Sequence, residues 1–331
     1  MVTDRVPLIA LTAGDPAGIG PELMVRLALE LADDPDAQML LVSSLTEIAI
    51  GCERAGVDSD ATELLRQGNL RLLEVDAPAV AAVGEPSAEG GTWSLRALEQ
   101  ALDATQEGRA HGIVFGPLNK TSLHLAGMTE PDEMRWFEHR IGSAASVSEV
   151  NIGSAFWTSR VTSHVPFREV ADQISATAVA DACVLLDGLL RADGRAHPRI
   201  AVAALNPHAG ENGRFGNEET AAIAPGIALA RDLGVDASGP HPADTVFRLG
   251  FDGLFDGIVT MYHDQGQIAL KTRSFDGGVT LEAGLGLPIC TPAHGTAFDR
   301  VGRQSASLTS MRNAMALARR LAIVNERPPR R

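Results

Sequence analysis

The chain has 331 residues, 45% of them apolar and 21% charged, with a formal charge of −14. At roughly 100–200 residues per domain, that is enough apolar side chain for two ordinary cores. The acidic balance argues against a nucleic-acid surface, which wants clustered Lys and Arg, but leaves room for a locally basic pocket and an anionic ligand.

Three widely spaced cysteines, Cys52, Cys183 and Cys290, imply no disulfide framework. The opening "MVTDRVPLIALTAGDP" lacks the apolar core and cleavage site of a signal peptide, and no apolar run reaches the length of a membrane span. A soluble cytoplasmic protein with no membrane and no nucleic-acid partner is expected.

The first strand is read in "VPLIALTAG", with "GIGPELMVRLALELA" opening a helix behind it. The intervening "GDPAGIGPE" lacks the third glycine of a dinucleotide fingerprint, and a strand-to-helix turn with Pro21 at the first helical position accounts for it. "AQMLLVSS" precedes the helix "LTEIAIGCERAG", and the helix "SLRALEQALDATQEG" precedes the strand in "AHGIVFGPLNK". Later come "PRIAVAALNPH", the helix "NEETAAIAPGIALARDLG", the strand "FDGIVTM" and the amphipathic tail helix "SLTSMRNAMALARRLAIVN". Short apolar runs alternating with helical patterns predict an α/β chain with a largely parallel sheet. No linker stands out, so the chain is expected to cross between two interleaved domains.

Three histidines share a context: His164 in "RVTSHVPF", His208 in "ALNPHAGENG" and His263 in "MYHDQG" each follow a strand-like run. Carboxyl ends of parallel strands gather ligands, and three imidazoles meeting there would make an open metal site. The alternative is three unrelated histidines capping strands or bonding loops. "YHDQGQIALK" poses the same choice: its His263, Asp264 and Lys271 are functional together, or they are a hydrogen-bonded His–Asp pair with the lysine in solvent.

"TAGDPAGIGPE", "GPLNK", "VTSHVPF", "LNPHAGENGRFGNEE", "GPHPADTVF", "YHDQGQIALK" and "TPAHGTAFD" occur in this order between about residues 8 and 322. Together they resemble the 4-hydroxythreonine-4-phosphate dehydrogenase family. The resemblance implies an isocitrate/isopropylmalate dehydrogenase-like fold, two interleaved α/β domains with the active-site cleft between them. It places a cofactor-side domain at 1–125 plus 290–331, and a metal, substrate and dimerisation domain at 126–289. "HGTAFDRVG" is similar to the cofactor-binding "HGSAPDIAG" pattern of that fold, which implies NAD (or NADP) against His294, Gly295, Thr296 and Ala297.

The same resemblance makes His164, His208 and His263 ligands of a divalent ion (zinc, or magnesium, manganese or cobalt) shared between the subunits of a homodimer. It makes Lys271 a substrate lysine, places Asp264 and Asp244 near the ion, and sets Lys120 in the cleft.

Departures from the family pattern bear on the substrate. Around "AGMTEPDEMRWF", Glu133 and Met134, or else Met128 and Thr129, stand where the family has a His-Thr pair. Thr280 replaces an asparagine, and Ile289 or Cys290 an arginine. With those phosphate partners absent, the expected substrate is a non-phosphorylated cis-dihydrodiol carboxylate of the terephthalate type, with Arg135 as a carboxylate clamp or as a surface arginine stacked on Trp136. The alternative is 4-phosphooxy-threonine, in pyridoxal phosphate biosynthesis, or a related phosphorylated sugar acid. In either case the expected reaction is oxidation of a β-hydroxy acid followed by decarboxylation. An acyltransferase of related fold would need no histidine triad, and a metal-binding dimer without catalysis would need no hydride acceptor.

Overall fold

The computed structural model describes residues 6–58, 61–66, 68–77, 80, 83–143, 147–273 and 276–325. Its strands are β1 (Leu8–Thr12), β2 (Gln38–Ser43), β3 (Leu70–Glu74), β4 (Gly112–Phe115), β5 (Ser148–Ile152), β6 (Trp157–Arg160), β7 (Ile200–Ala203), β8 (Ala237–His241), β9 (Gly257–Thr260), β10 (Val279–Ala283) and β11 (Ile289–Pro292). The chain divides into two compact units, residues 1–142 with 285–331, and residues 143–284.

The first unit holds the strand order β3-β2-β1-β4-β11, with every neighbouring pair parallel. β1 and β4 are buried along their whole length, as strands covered on both faces must be, and their apolar runs make them easy to read. The C-terminal helix Thr309–Asn325 buries Met311, Ala314, Met315, Ala318, Leu321 and Ala322, the three-and-four spacing of a single apolar face.

The unit boundaries fall elsewhere than at 125/126 and 289/290. Residues 126–142 stay with the first unit because the helix Glu133–Ile141 buries Trp136 and Phe137, and Phe137 packs 6.0 Å from Phe115 at the end of β4. Residues 285–288 lead into β11, and the carbonyl of Pro288 accepts the N–H of Ile113 on β4.

The glycines of "GDPAGIGPE" serve packing within the protein. Gly14 has a φ of +75°, and a Cβ there would stand 2.4 Å from the carbonyl oxygen of Gly116. A Cβ on Gly18 would stand 2.7 Å from the carbonyl oxygen of Thr296, which accepts the N–H of Ile19. The helix Gly20–Glu30 then starts with proline in its first turn, as the sequence predicts. The helix expected over 94–108 begins earlier, at Ala88, where the Ser87 hydroxyl accepts the Gly90 N–H at 3.0 Å. Its glycine pair, Gly90 and Gly91, masks that start because glycine is a poor helix former.

The second unit has the order β10-β5-β6-β9-β7-β8. β6, β9, β7 and β8 run parallel, while β5 is antiparallel to both β10 and β6. Its core joins Phe156, Ala201, Ala203, Val246, Ile258 and Leu270. Several elements here lie outside those read from the sequence: the strands "SEVNI", "WTSR" and "VTLEA", and the helices Ala176–Ala192, Ala243–Phe251 and His263–Arg273. Among the described residues no single helix is long and apolar enough to cross a membrane.

Asp15 is buried at the end of β1, and its Oδ1 accepts the Ala17 N–H at 3.0 Å. Burial is the main effect and raises its pKa above the ordinary carboxylate value, while bonds from Ser122 and Ala17 pull the other way. Such a group favours the fold fully below its unfolded pKa, and that contribution is lost as pH rises through the folded pKa. Asp15→Asn keeps an acceptor and never ionises. Thermal melts should therefore show a higher Tm than wild type at about pH 7 and no gain at about pH 3.

Candidate active site

The parallel trio β6, β9 and β7 sends its three exits to one edge of the sheet, and each exit carries one of the expected histidines. His164 lies beyond β6, His263 beyond β9 and His208 beyond β7. Met261 ties the first two exits together. Its carbonyl accepts the backbone N–H of Thr162 at 3.1 Å and the Thr162 hydroxyl at 2.8 Å. Its N–H donates to Gln265 Oε1 at 2.7 Å, while Gln265 Nε2 donates to the Ala204 carbonyl at the β7 exit at 2.8 Å. Buried Gln265 thereby spans two exits from within one helix turn.

The structure brings His164 and His263 together, with ring centroids 5.4 Å apart. His263 Nδ1 is 2.7 Å from Asp264 Oδ1. An ionised carboxylate only accepts, so Nδ1 carries the proton and Nε2 keeps its lone pair. Burial is the largest effect lowering the pKa of His263. Asp264 opposes it, and the charges of Arg160 and His164 reinforce it. A neutral imidazole with a fixed tautomer is the form that binds a metal.

His208 sits on a turn of its own. His208, Ala209, Gly210, Glu211 and Asn212 all have positive φ, four of them without glycine's freedom. Left-handed residues of this kind cost energy and persist only where the surroundings fix them. Here the fixing group is Glu219, which is buried. Its Oε1 accepts the N–H of Leu205 at 3.0 Å and of Asn206 at 2.7 Å, and its Oε2 accepts Asn206 Nδ2 at 3.0 Å.

The remaining expected residues are more scattered. Lys271 is exposed on the helix His263–Arg273, about 12 Å along the axis from His263 at 1.5 Å per residue. Taken alone, "YHDQGQIALK" thus shows the bonded His–Asp pair with an exposed lysine. Asp244 is exposed in the first turn of Ala243–Phe251. Thr280, on β10, accepts Asn151 Nδ2 at 3.1 Å.

In the first unit, Lys120 is exposed at the start of Lys120–Leu125, and Thr129 bonds Glu130 at 3.3 Å. Glu133 begins its helix and Met128 is buried. Arg135 is an exposed helix residue paired with Glu138 at 2.5 Å, and it is Arg140 that stacks over Trp136, at 4.9 Å. Arg135 is thus already engaged by a carboxylate of its own helix. Ile289 and Cys290 are fully buried in β11, so neither faces an open pocket.

The loop His294–Ala297 docks on the first-unit turn through Thr296. Gly295 is exposed, a Cβ placed on it would meet nothing within 4 Å, and Ala297 is left-handed at φ 44°. That leaves open backbone at the carboxyl end of β11, which suits a nucleotide lying against the chain.

Sequence reasoning missed the groups that build the site: Thr162, Gln265 and Glu219, and a polar sheet face under the helix His263–Arg273. That face carries Glu149 and Asn151 of β5, Thr158 and Arg160 of β6, and Thr280 and Glu282 of β10, with Asn151 opposite both Thr280 and Thr158. Its period-two alternation, Glu149-Val150-Asn151-Ile152 and Thr280-Leu281-Glu282, is a visible signal.

Residues 32–318 match the family described as "Pyridoxal phosphate biosynthetic protein PdxA". A putative 4-hydroxythreonine-4-phosphate dehydrogenase 2 of Pseudomonas aeruginosa is 44% identical, covering 97% of this chain and 98% of the relative. A D-threonate 4-phosphate dehydrogenase of Salmonella typhimurium is 34% identical, covering 95% and 98%. Among solved structures, a 4-hydroxythreonine-4-phosphate dehydrogenase of Klebsiella pneumoniae superposes with a TM-score of 0.79 at 31% identity, covering 97% and 99%. A terephthalate 1,2-cis-dihydrodiol dehydrogenase of Burkholderia xenovorans gives 0.67 at 28%, covering 95% and 98%. The α/β fold expected from the sequence agrees with these structures.

Replacing Glu219 by Ala leaves the Leu205 and Asn206 N–H groups without their acceptor, at roughly 1–3 kcal/mol each. Urea unfolding of Glu219→Ala is expected to show a loss of about 2–6 kcal/mol.

Proposed function

The chain belongs to the PdxA family of dehydrogenases, and we propose that its substrate is a phosphorylated hydroxy acid of the 4-phosphooxy-threonine or D-threonate 4-phosphate type. The dihydrodiol carboxylate expected from the sequence is less well supported. The full-length relatives at 44% and 34% identity are named for phosphorylated acids, and the dihydrodiol dehydrogenase superposes less closely than the Klebsiella enzyme. Missing phosphate partners would count against a phosphorylated acid only if their positions lined a pocket. Ile289 and Cys290 lie inside a strand, and Thr280 is engaged with Asn151.

The observation that carries the mechanistic reading is the meeting of His164 and His263 at neighbouring strand exits. In this reading they hold a divalent ion, with His208 completing the set across a homodimer. A bound ion would lower the pKa of the substrate hydroxyl and offset the negative charge that develops on the keto oxygen as CO₂ leaves, and NAD or NADP would accept the hydride.

The chain's own residues do the rest. Asp264 keeps the proton on His263 Nδ1 and so points the Nε2 lone pair outward. Gln265 and Thr162 hold the exits in register, which fixes where the hydroxyl is presented. The loop His294–Ala297 offers the cofactor its backbone. Lys271 and Asp244, both exposed, are assigned by resemblance to proton transfer at the substrate.

The test is a turnover assay with added divalent metal and either NAD⁺ or NADP⁺, comparing the two phosphorylated acids with a cis-dihydrodiol dicarboxylate. A kcat/KM higher by roughly tenfold or more for a phosphorylated acid is expected, and preference for the dihydrodiol would overturn the reading. His164→Ala and His263→Ala should abolish turnover. Lys271→Ala should keep metal binding while losing most of kcat.

A further inference from the structure

The polar sheet face beneath the helix His263–Arg273 is out of place for a buried surface. Arg160 is 5% exposed and Asn151 6%. Arg160 Nη2 donates to Glu149 Oε2 and, at 3.0 Å, to Asn151 Oδ1. Asn151 Oδ1 also accepts Gln267 Nε2 at 2.7 Å, and Gln267 lies one helical turn from His263. A buried ion pair contributes little net stability, since desolvating both charges offsets most of their attraction. A core strand would be as stable with apolar residues in these places. The pair therefore calls for a use.

The position of Glu149 supplies one. A carboxylate oxygen of Glu149 and a ring nitrogen of His164 lie within 4.8 Å of one another, a span that a single ion can bridge. Arg160 occupies Oε2, which fixes the carboxylate's rotamer and leaves Oε1 for another partner. The Glu149 side chain is 12% exposed, so that oxygen is not sealed in the core.

We propose that Glu149, clamped by Arg160, is a further ligand of the ion held at His164, an inference that rests on the metal-dependent reading above. Its carboxylate adds a hard oxygen and a negative charge to an otherwise neutral histidine set. That shifts the site's preference toward oxygen-seeking ions such as manganese or magnesium and strengthens binding of any divalent ion. The Gln267–Asn151 bond ties the same platform to the helix that begins with His263.

Cobalt(II) is the probe, titrated into the purified full-length protein by calorimetry and followed by its visible d–d absorption. Glu149→Gln keeps an acceptor for Arg160 but is a far poorer ligand, and it is expected to weaken cobalt binding by about 10–100-fold and to alter the absorption bands. Glu149→Asp keeps the charge and withdraws the oxygen by one methylene. It should change the bands as well, and it serves if the glutamine variant does not fold. Wild-type affinity and bands in the folded variants, with binding lost in His164→Ala, would overturn this inference and leave the metal-dependent reading standing. Undiminished binding in His164→Ala would sink both.

Discussion

Parallel pairing of β6, β9 and β7 is the constraint on which the second unit's candidate chemistry depends. Parallel neighbours release their chains at the same edge, so His263 emerges beside His164, 99 positions earlier, and beside His208, 55 positions earlier. Pairing alone would leave three mobile exits. The Met261 carbonyl and N–H, taken up by Thr162 and Gln265, convert them into a fixed edge, and buried Glu219 does the same for the turn that carries His208. In each case a buried polar side chain satisfies backbone groups where a strand stops, at the place where the ladder can no longer do so.

The two units use polar groups differently. In the first, close backbone approach dominates: Gly14 and Gly18 let the turn after β1 lie against the Gly116–Pro117 and Thr296 backbones. No phosphate cradle is needed to explain those glycines. In the second, the sheet gives up part of its apolar face to Glu149, Asn151, Arg160 and Gln267. Arg160 Nη2 is bonded within this network while its Nη1 is buried without a partner, so a face of this kind specifies geometry more than it adds stability.

Matching residues position by position against a family pattern does not say which side chains are open to a ligand. Ile289 stands where the pattern has an arginine, but it is a fully buried strand residue. Arg135 has the chemistry of a carboxylate clamp, but its guanidinium is paired with Glu138 on its own helix. Whether a residue can meet a ligand depends on which face of its element is open. That is decided by packing against residues far away in the chain.

The sequence by itself determined the α/β class, the apolar strands β1, β2, β4, β7 and β9, the C-terminal helix and the family, because buried parallel strands and amphipathic helices write their burial into local periodicity. It also marked the three strand-end histidines and, through ordered motifs, the residues to watch. Tertiary structure alone decided the antiparallel direction of β5, the boundaries near 142 and 285, and the pairing of His164 with His263. The reason is physical: strand order and the partner of a buried polar group are set by contacts between segments a hundred residues apart, and no local pattern carries that information. Arg160 becomes an ionic clamp only when β5 is laid beside β6.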